Sequence, residues 1–112
     1  RAGRPLNGIG KAIQTVAKDK GFKIIKNLCS HGVGRSLHEE PTEIPGYFDR
    51  SDKRVLHEGL VITIEPFLST KSQWVDEAND GWSLLAQQGN LSAQFEHSMV
   101  ITKGRPILLT VA

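Results

Sequence analysis

Two glutamates and two histidines are the residues of this chain whose types could do chemistry together. Glu65 ends the apolar run of residues 60–64, and Glu96 lies inside a second apolar segment. A carboxylate in such a run costs free energy to desolvate unless a charge or a hydrogen bond compensates. One such glutamate could lie at the edge of a strand, with its side chain pointing into water. Two of them on separate strands indicate a shared polar cleft.

The two histidines, His31 and His38, lie in or just after a glycine-rich segment. Small residues flank His31, so side-chain packing does little to explain a histidine at this position. The neighbouring glycines let the backbone approach a ligand closely. Neutral imidazole is the commonest metal ligand in proteins and transfers protons near pH 7. With Glu65 and Glu96, these histidines form a candidate metal and acid–base set suited to divalent Mn, Fe, Co or Zn. Spacing alone shows no short ligand motif such as His-x-x-x-His.

Other polar candidates are better explained by structure. His57 lies in a polar turn before a strand, and His97 alternates away from Glu96, so it cannot easily bind the same ion. Cys29 has no base and orienting group beyond His31, which a cysteine nucleophile would need. We therefore interpret it as a small buried side chain.

Composition limits the class of protein. The chain has 112 residues, with 14 Lys and Arg against 12 Asp and Glu, so one domain over residues 1–112 is expected. The near-neutral balance argues against a strongly basic nucleic-acid binder. A single cysteine excludes a disulfide framework within one chain. No apolar stretch reaches about 18 residues and no secretory leader is recognisable, so we expect no membrane association and a cytoplasmic location.

The residue pattern predicts one helix before the candidate residues. Apolar side chains at positions 6, 9, 13, 16 and 17 recur at helical spacing. Gly21 supplies a left-handed C-cap. The β-branched segment 22–26 then predicts a short strand. Residues 29–46 contain several glycines and prolines among charged residues, and we interpret them as an ordered functional loop.

Two strong strands are predicted to carry the glutamates. In residues 60–65, Leu60, Ile62 and Ile64 share one face. The second strand covers residues 94–102. Further short strands complete two hairpins, one joining the second strand to residues 107–110 and one formed by residues 74–75 and 82–85 around 79–81. The pattern predicts an α+β fold with a helix packed on a mainly antiparallel sheet.

Four motifs together resemble those of type I methionine aminopeptidases. They are His31-Gly32-Val33-Gly34-Arg35, His38-Glu39-Glu40-Pro41, Thr63-Ile64-Glu65-Pro66 and Leu91-Ser92-Ala93-Gln94-Phe95-Glu96-His97. Their order and approximate spacing match the family over nearly the whole chain. The resemblance implies a pita-bread fold, built from two pseudo-symmetric halves. It identifies residues 1–112 as the C-terminal half of the catalytic domain.

The resemblance also implies roles for individual residues. His31 and Glu65 would bind one of two divalent ions (Co, Mn, Fe or Zn), and Glu96 would bridge both. Glu65 would also orient or deprotonate the nucleophile, and His38 would contact substrate and polarise the scissile carbonyl. Trp82 would line the pocket for the N-terminal methionine, with Leu37 nearby. The reaction would remove the initiator methionine of nascent peptides.

The chain departs from the family in two positions and in extent. Ser30 stands where the family normally has glycine, and Leu37 replaces a frequent phenylalanine. The family's two aspartate ligands belong to the N-terminal half, which would be the partner of this chain. Two alternatives stay open: a catalytically incomplete pita-bread module, and a prolidase-like or aminopeptidase P-like enzyme that cleaves before proline.

Overall fold

One helix and ten short strands make up the computed structural model, which describes residues 1–111. The elements are α1 (Asn7–Asp19), β1 (Lys23–Ile24), β2 (Ser30–Gly32), β3 (Glu39–Ile44), β4 (Val61–Ile64), β5 (Phe67–Ser69), β6 (Asp76–Glu77), β7 (Leu84–Leu85), β8 (Ser92–Gln94), β9 (His97–Val100) and β10 (Ile107–Leu108). They form a five-stranded sheet of order β10-β9-β4-β2-β3, a three-stranded sheet β1-β5-β8 and the pair β6-β7. Every strand pair is antiparallel, which confirms the predicted α+β class.

The helix forms where the apolar spacing predicts it. Gly21 has a φ of 76°, as expected for a left-handed C-cap. Leu6, Gly10 and Ala17 are buried and form one stripe along the helix. Val16 is 57% exposed, so its predicted place on the core face is wrong. At 3.6 residues per turn it lies about 100° from Ala17, beside the buried stripe.

The core lies on one face of the five-stranded sheet. Its fully buried cluster contains Leu6, Ile44, Leu56, Ile62 and Ile101. Leu60 and Ile64 pack against this cluster, which confirms the predicted apolar face of β4. Because side chains alternate along a strand, Thr63 and the following Glu65 belong to the opposite face.

The prediction of a loop over residues 29–46 is wrong, because β2 and β3 pair there. The three residues of β2, Ser-His-Gly, contain no apolar side chain, so no alternation marked this strand. Gly32 is required at this position, since a Cβ there would overlap the carbonyl group of Glu40 on β3. Glycine thus lets the two strands approach closely.

The predicted single strand over residues 94–102 is interrupted. β8 ends at Gln94 and pairs with β5, whereas β9 begins at His97 and pairs with β4. The pairs Ile64–His97 and Phe67–Gln94 keep one register across the break, so the two strands pass together from one sheet to the other. This register places Glu65 opposite Glu96 at the crossing, which we call the sheet junction (residues 64–67 and 94–97).

The remaining short elements follow the predictions in part. β9 and β10 form the expected hairpin, and β1 covers two residues of the predicted 22–26 strand. The second hairpin pairs Asp76–Glu77 with Leu84–Leu85, so residues 74–75 lie outside it. No helix within residues 1–111 is long and apolar enough to cross a membrane.

Candidate metal centre

The structure brings four of the predicted site residues together at the sheet junction. Nε2 of His31, on β2, lies 3.0 Å from Oε1 of Glu65. Gln94 Nε2 donates hydrogen bonds to Glu65 Oε2 at 3.2 Å and to Glu96 Oε2 at 3.4 Å. The ring of His38 lies over that of His31, with centroids 4.0 Å apart. We call His31, His38, Glu65 and Glu96 the junction cluster.

The imidazole of His31 is oriented by its own backbone neighbour. Its Nδ1 lies 2.7 Å from the Gly32 carbonyl oxygen, which can only accept, so Nδ1 carries the proton. In the neutral ring, Nε2 therefore presents a lone pair to the carboxylate of Glu65. Two acceptors this close repel each other unless a proton or a metal ion lies between them. A ligating histidine commonly has its other ring nitrogen held by a carbonyl in this way.

The two carboxylates concentrate negative charge. Burial raises the pKa of Glu65, and the charge of Glu96 raises it further. His31, the Gln94 amide and His38 act in the opposite direction. Like charges directly opposite each other on paired strands are destabilising. Either a proton or a bound cation between the carboxylates would relieve this repulsion.

Two buried hydroxyl groups hold the glutamates. Thr63 Oγ1 donates to Glu96 Oε1 at 2.6 Å, and Ser30 Oγ accepts from the Glu65 backbone N–H at 2.9 Å. Thr63 is 1% and Ser30 is 2% exposed. Sequence reasoning missed the contacts of Thr63 and Gln94. A signal was present, because each alternates onto the same face as the neighbouring glutamate.

Trp82 and Leu37 lie apart from these contacts. Trp82 is 87% exposed in the turn between β6 and β7, and Leu37 is 73% exposed. Asp80 Oδ1 accepts hydrogen bonds from the backbone N–H groups of Trp82 and Ser83. Within residues 1–111, no hydrogen bond or aromatic contact joins the Trp82 side chain to the junction cluster. The predicted pocket role of Trp82 stays a prediction.

The other polar candidates lie outside the cluster. His57 is exposed, and His97 Nδ1 lies 2.9 Å from Thr110 Oγ1 while its ring meets Phe95 edge to face. Cys29 is half-buried, and burial raises the pKa of its thiol. A raised pKa disfavours the thiolate, so Cys29 lacks the character of a nucleophile.

The donor set of the junction cluster fits part of a metal centre. Ligand nitrogen and oxygen atoms lie about 2.0–2.2 Å from zinc, so two neighbouring ligands of one ion are roughly 3–3.5 Å apart. The separation of His31 Nε2 and Glu65 Oε1, 3.0 Å, lies at the short end of this range. Among residues 1–111, no three His, Cys, Asp or Glu side chains form a preformed metal site. The His31–Glu65 pair alone therefore supplies too few ligands to hold an ion.

Comparison with known proteins gives consistent matches over the chain. Residues 1–103 match the model of metallopeptidase family M24. Methionine aminopeptidase 2 of Bacillus subtilis is 46% identical over 110 residues, and that match covers 98% of this chain. A methionine aminopeptidase of Staphylococcus epidermidis is 43% identical over 110 residues, again with 98% of this chain covered.

Solved structures show the same likeness in three dimensions. The methionine aminopeptidase of Thermotoga maritima superimposes with a TM-score of 0.91 at 35% identity, and the match covers all of this chain and 45% of that one. The enzyme of Rickettsia prowazekii gives a TM-score of 0.91 at 32% identity, with coverage of 99% and 45%. These neighbours have the pita-bread fold, which confirms the prediction that the chain forms half of it.

The extent of the match is as informative as its strength. The chain spans about half the length of its curated relatives, since the matches cover 44% of both bacterial proteins. The family model, in contrast, matches most of the chain, including His31, Glu65 and Glu96. The chain belongs to metallopeptidase family M24.

Proposed function

We propose that residues 1–112 are the C-terminal half of a methionine aminopeptidase that uses two divalent metal ions. The complete enzyme would remove the initiator methionine from nascent peptides in the cytoplasm. One observation carries the proposal: His31, Glu65 and Glu96 converge where a shared register sets two carboxylates opposite each other.

The contacts at the sheet junction support the ligand assignment that the family resemblance implies. His31 and Glu65 would bind one ion, since Nε2 and Oε1 are spaced as neighbouring ligands. Glu96 would bridge both ions from the opposite strand. The missing N-terminal half would supply the remaining ligands.

Two side chains would act on the substrate. When bound, two divalent ions lower the pKa of a water molecule and stabilise negative charge on the substrate carbonyl oxygen. Glu65 would orient the attacking water and accept its proton. His38 is exposed above the His31 ring, from which position it contacts the substrate and polarises the scissile carbonyl.

Specificity for methionine would depend on the exposed hairpin, which we define as residues 76–85. Its turn presents Trp82 to solvent, where the indole is free to cover a substrate side chain. Aromatic rings bury large apolar areas and interact favourably with thioether sulfur. Trp82 would therefore form a wall of the methionine pocket once the second half is present.

Turnover by the complete protein tests this function. With Mn²⁺ or Co²⁺, we expect release of methionine from a Met-Ala-Ser peptide and much slower cleavage of an X-Pro peptide. Faster cleavage of the X-Pro peptide would favour the prolidase-like alternative. Failure to cleave either peptide, with Mn²⁺ shown to bind, would favour a non-catalytic module.

A matched pair of exposed histidines controls for general effects of substitution. His38→Ala should lower kcat by roughly 10²–10³-fold, the range for loss of one donor that stabilises charge on the reacting carbonyl oxygen. His57 is also exposed but lies outside the junction cluster, so His57→Ala should retain wild-type turnover. Equal activity of the two variants would contradict the role of His38.

A further inference from the structure

Ser30 is a polar residue on the apolar side of the sheet. His31 pairs with Thr63 across β2 and β4, so Ser30, the residue before it, alternates onto the face of Ile62 and Ile64. Only 2% of Ser30 is exposed. A hydroxyl group at such a place is costly unless it is hydrogen-bonded.

The hydroxyl group of Ser30 is hydrogen-bonded to Glu65, whose carboxylate belongs to the candidate metal centre. Ser30 Oγ accepts from the backbone N–H of Glu65 at 2.9 Å. The main-chain pairs of β2 and β4 end with His31 and Thr63, and Glu65 lies beyond the last residue of β4. The Ser30 hydroxyl therefore accepts the Glu65 N–H in place of a main-chain carbonyl, at the point where the main-chain pairing of β2 and β4 ends.

The bond connects the two sides of the candidate metal site. Ser30 directly precedes His31 in β2, and its partner is the backbone of Glu65. Any movement of the Glu65 backbone changes the separation of its carboxylate from His31 Nε2, which is 3.0 Å. Misplacement by about 1 Å at a reactive site can lower the rate about 100-fold.

We propose that Ser30 is a positioning residue that fixes the Glu65 backbone and thereby the His31–Glu65 ligand pair. The proposal rests on the proposed metallopeptidase function. Ser30 is not one of the proposed ligands, and it acts through its hydrogen bond with the Glu65 backbone. Groups that orient metal ligands typically contribute 10–100-fold to metal affinity or activity.

The chain offers a matched control in Ser69. This residue is 1% exposed, and its hydroxyl donates to the carbonyl oxygen of Ser72 within the loop that follows β5. Ser69→Ala and Ser30→Ala each remove one buried hydroxyl group and its hydrogen bond. Only Ser30 is bonded to a residue of the junction cluster.

The test measures Mn²⁺ binding by calorimetry, and Met-Ala-Ser turnover, on the complete protein. We expect Ser30→Ala to lower Mn²⁺ affinity by roughly 10–100-fold and kcat by a similar factor, with KM changed less than about twofold. Ser69→Ala should leave affinity and kcat within about twofold of wild type. Equal affinities for the two variants, while the wild type binds Mn²⁺ and cleaves the peptide, would overturn the role of Ser30 and leave the proposed function intact. A wild-type protein that neither binds Mn²⁺ nor cleaves would overturn the function itself.

Amide exchange of Glu65 provides a second measurement if Ser30→Ala does not fold. In the wild-type protein, the Glu65 amide should exchange at least tenfold more slowly than an unprotected amide, both without and with Mn²⁺. Exchange at the unprotected rate in both states would show that Ser30 does not hold this amide, and would overturn the proposal.

Discussion

The sheet junction and the exposed hairpin are stabilised in different ways. At the junction, side chains from strands far apart in sequence meet, and Ser30 and Thr63, the residues that hold Glu65 and Glu96, are at most 2% exposed. In the hairpin, Asp80 bonds residues two and three positions away, and Trp82 is 87% exposed. The junction is thus built by tertiary contacts, and the hairpin turn by local ones.

This difference indicates which parts of the site can be organised by one half of the fold. The orientation of His31, Glu65 and Glu96 depends on strand register and buried hydrogen bonds that this chain supplies. The side chain of Trp82, in contrast, is largely exposed, so residues 1–111 do little to fix its position. Substitutions at the junction should therefore affect metal binding, and substitutions in the hairpin should affect substrate binding.

The largest expected effect comes from neutralising a junction carboxylate. In the complete protein, Glu65→Gln should lower kcat by roughly 10²–10⁴-fold, because it removes both a ligand and the group that accepts the proton. Without metal, the variant should melt no lower than wild type, since the repulsion from Glu96 is gone. Kinetics and thermal melting check the two expectations.

A surface glutamate serves as the control for that substitution. Glu58 lies 3.4 Å from Lys103 in an exposed ion pair, and such pairs contribute little to stability. Glu58→Gln should therefore retain wild-type kcat and melting temperature. A Glu65→Gln variant that keeps most of the activity would contradict the assignment of Glu65.

A smaller effect is expected from the hydroxyl group that holds Glu96. Thr63→Val preserves side-chain shape but removes the hydrogen bond to Glu96 Oε1. Mn²⁺ affinity should fall by roughly 10–100-fold, as for other groups that orient metal ligands. Thr63→Ser keeps the hydroxyl group and should bind Mn²⁺ nearly as wild type. Calorimetry distinguishes the variants, and equal losses in both would show that Mn²⁺ affinity does not depend specifically on the hydroxyl group, which would contradict its role.

The sequence predicts those parts of the molecule that have a local signal. The apolar alternation of residues 60–65 predicts β4 and its core face, and helical spacing predicts α1. β2 has no such signal, because Ser30, His31 and Gly32 contain no apolar side chain. Alternation also continues through Phe95, although β8 and β9 belong to different sheets. Alternation reports which face a residue occupies but not which sheet it joins.

The site was predictable as a set of residues but not as a set of contacts. His31, Glu65 and Glu96 are recognisable from motifs, and the structure brings them together. The bonds of Ser30 and Thr63 depend on the register between strands more than 30 residues apart. Register of distant strands is set by core packing, which a single sequence does not display.

A substitution in the exposed hairpin should have a moderate effect, on substrate binding and not on stability. Trp82→Ala should raise KM for methionine peptides by roughly tenfold, the range for losing part of an apolar pocket. Stability should change by less than about 0.5 kcal/mol, because the side chain is exposed. Trp74→Ala is the control, since Trp74 is also exposed, at 61%, but lies outside the hairpin. If KM rose equally in both variants, the pocket role of Trp82 would be wrong.

The smallest effect concerns the acid response of the hairpin turn. Hydrogen bonds from Ser83 and Trp82 lower the pKa of Asp80 from 3.8 to about 2. A lowered pKa means that the carboxylate stabilises the turn above about pH 4 and that this contribution is lost only as the pH falls towards 2. Amide chemical shifts of Trp82 and Ser83 should therefore stay nearly constant from pH 6 down to about pH 3. A titration of those shifts centred near 3.8, the ordinary pKa of an aspartate, would show that the turn is not closed in solution. The hairpin would then lack the local hydrogen bonds that Asp80 provides.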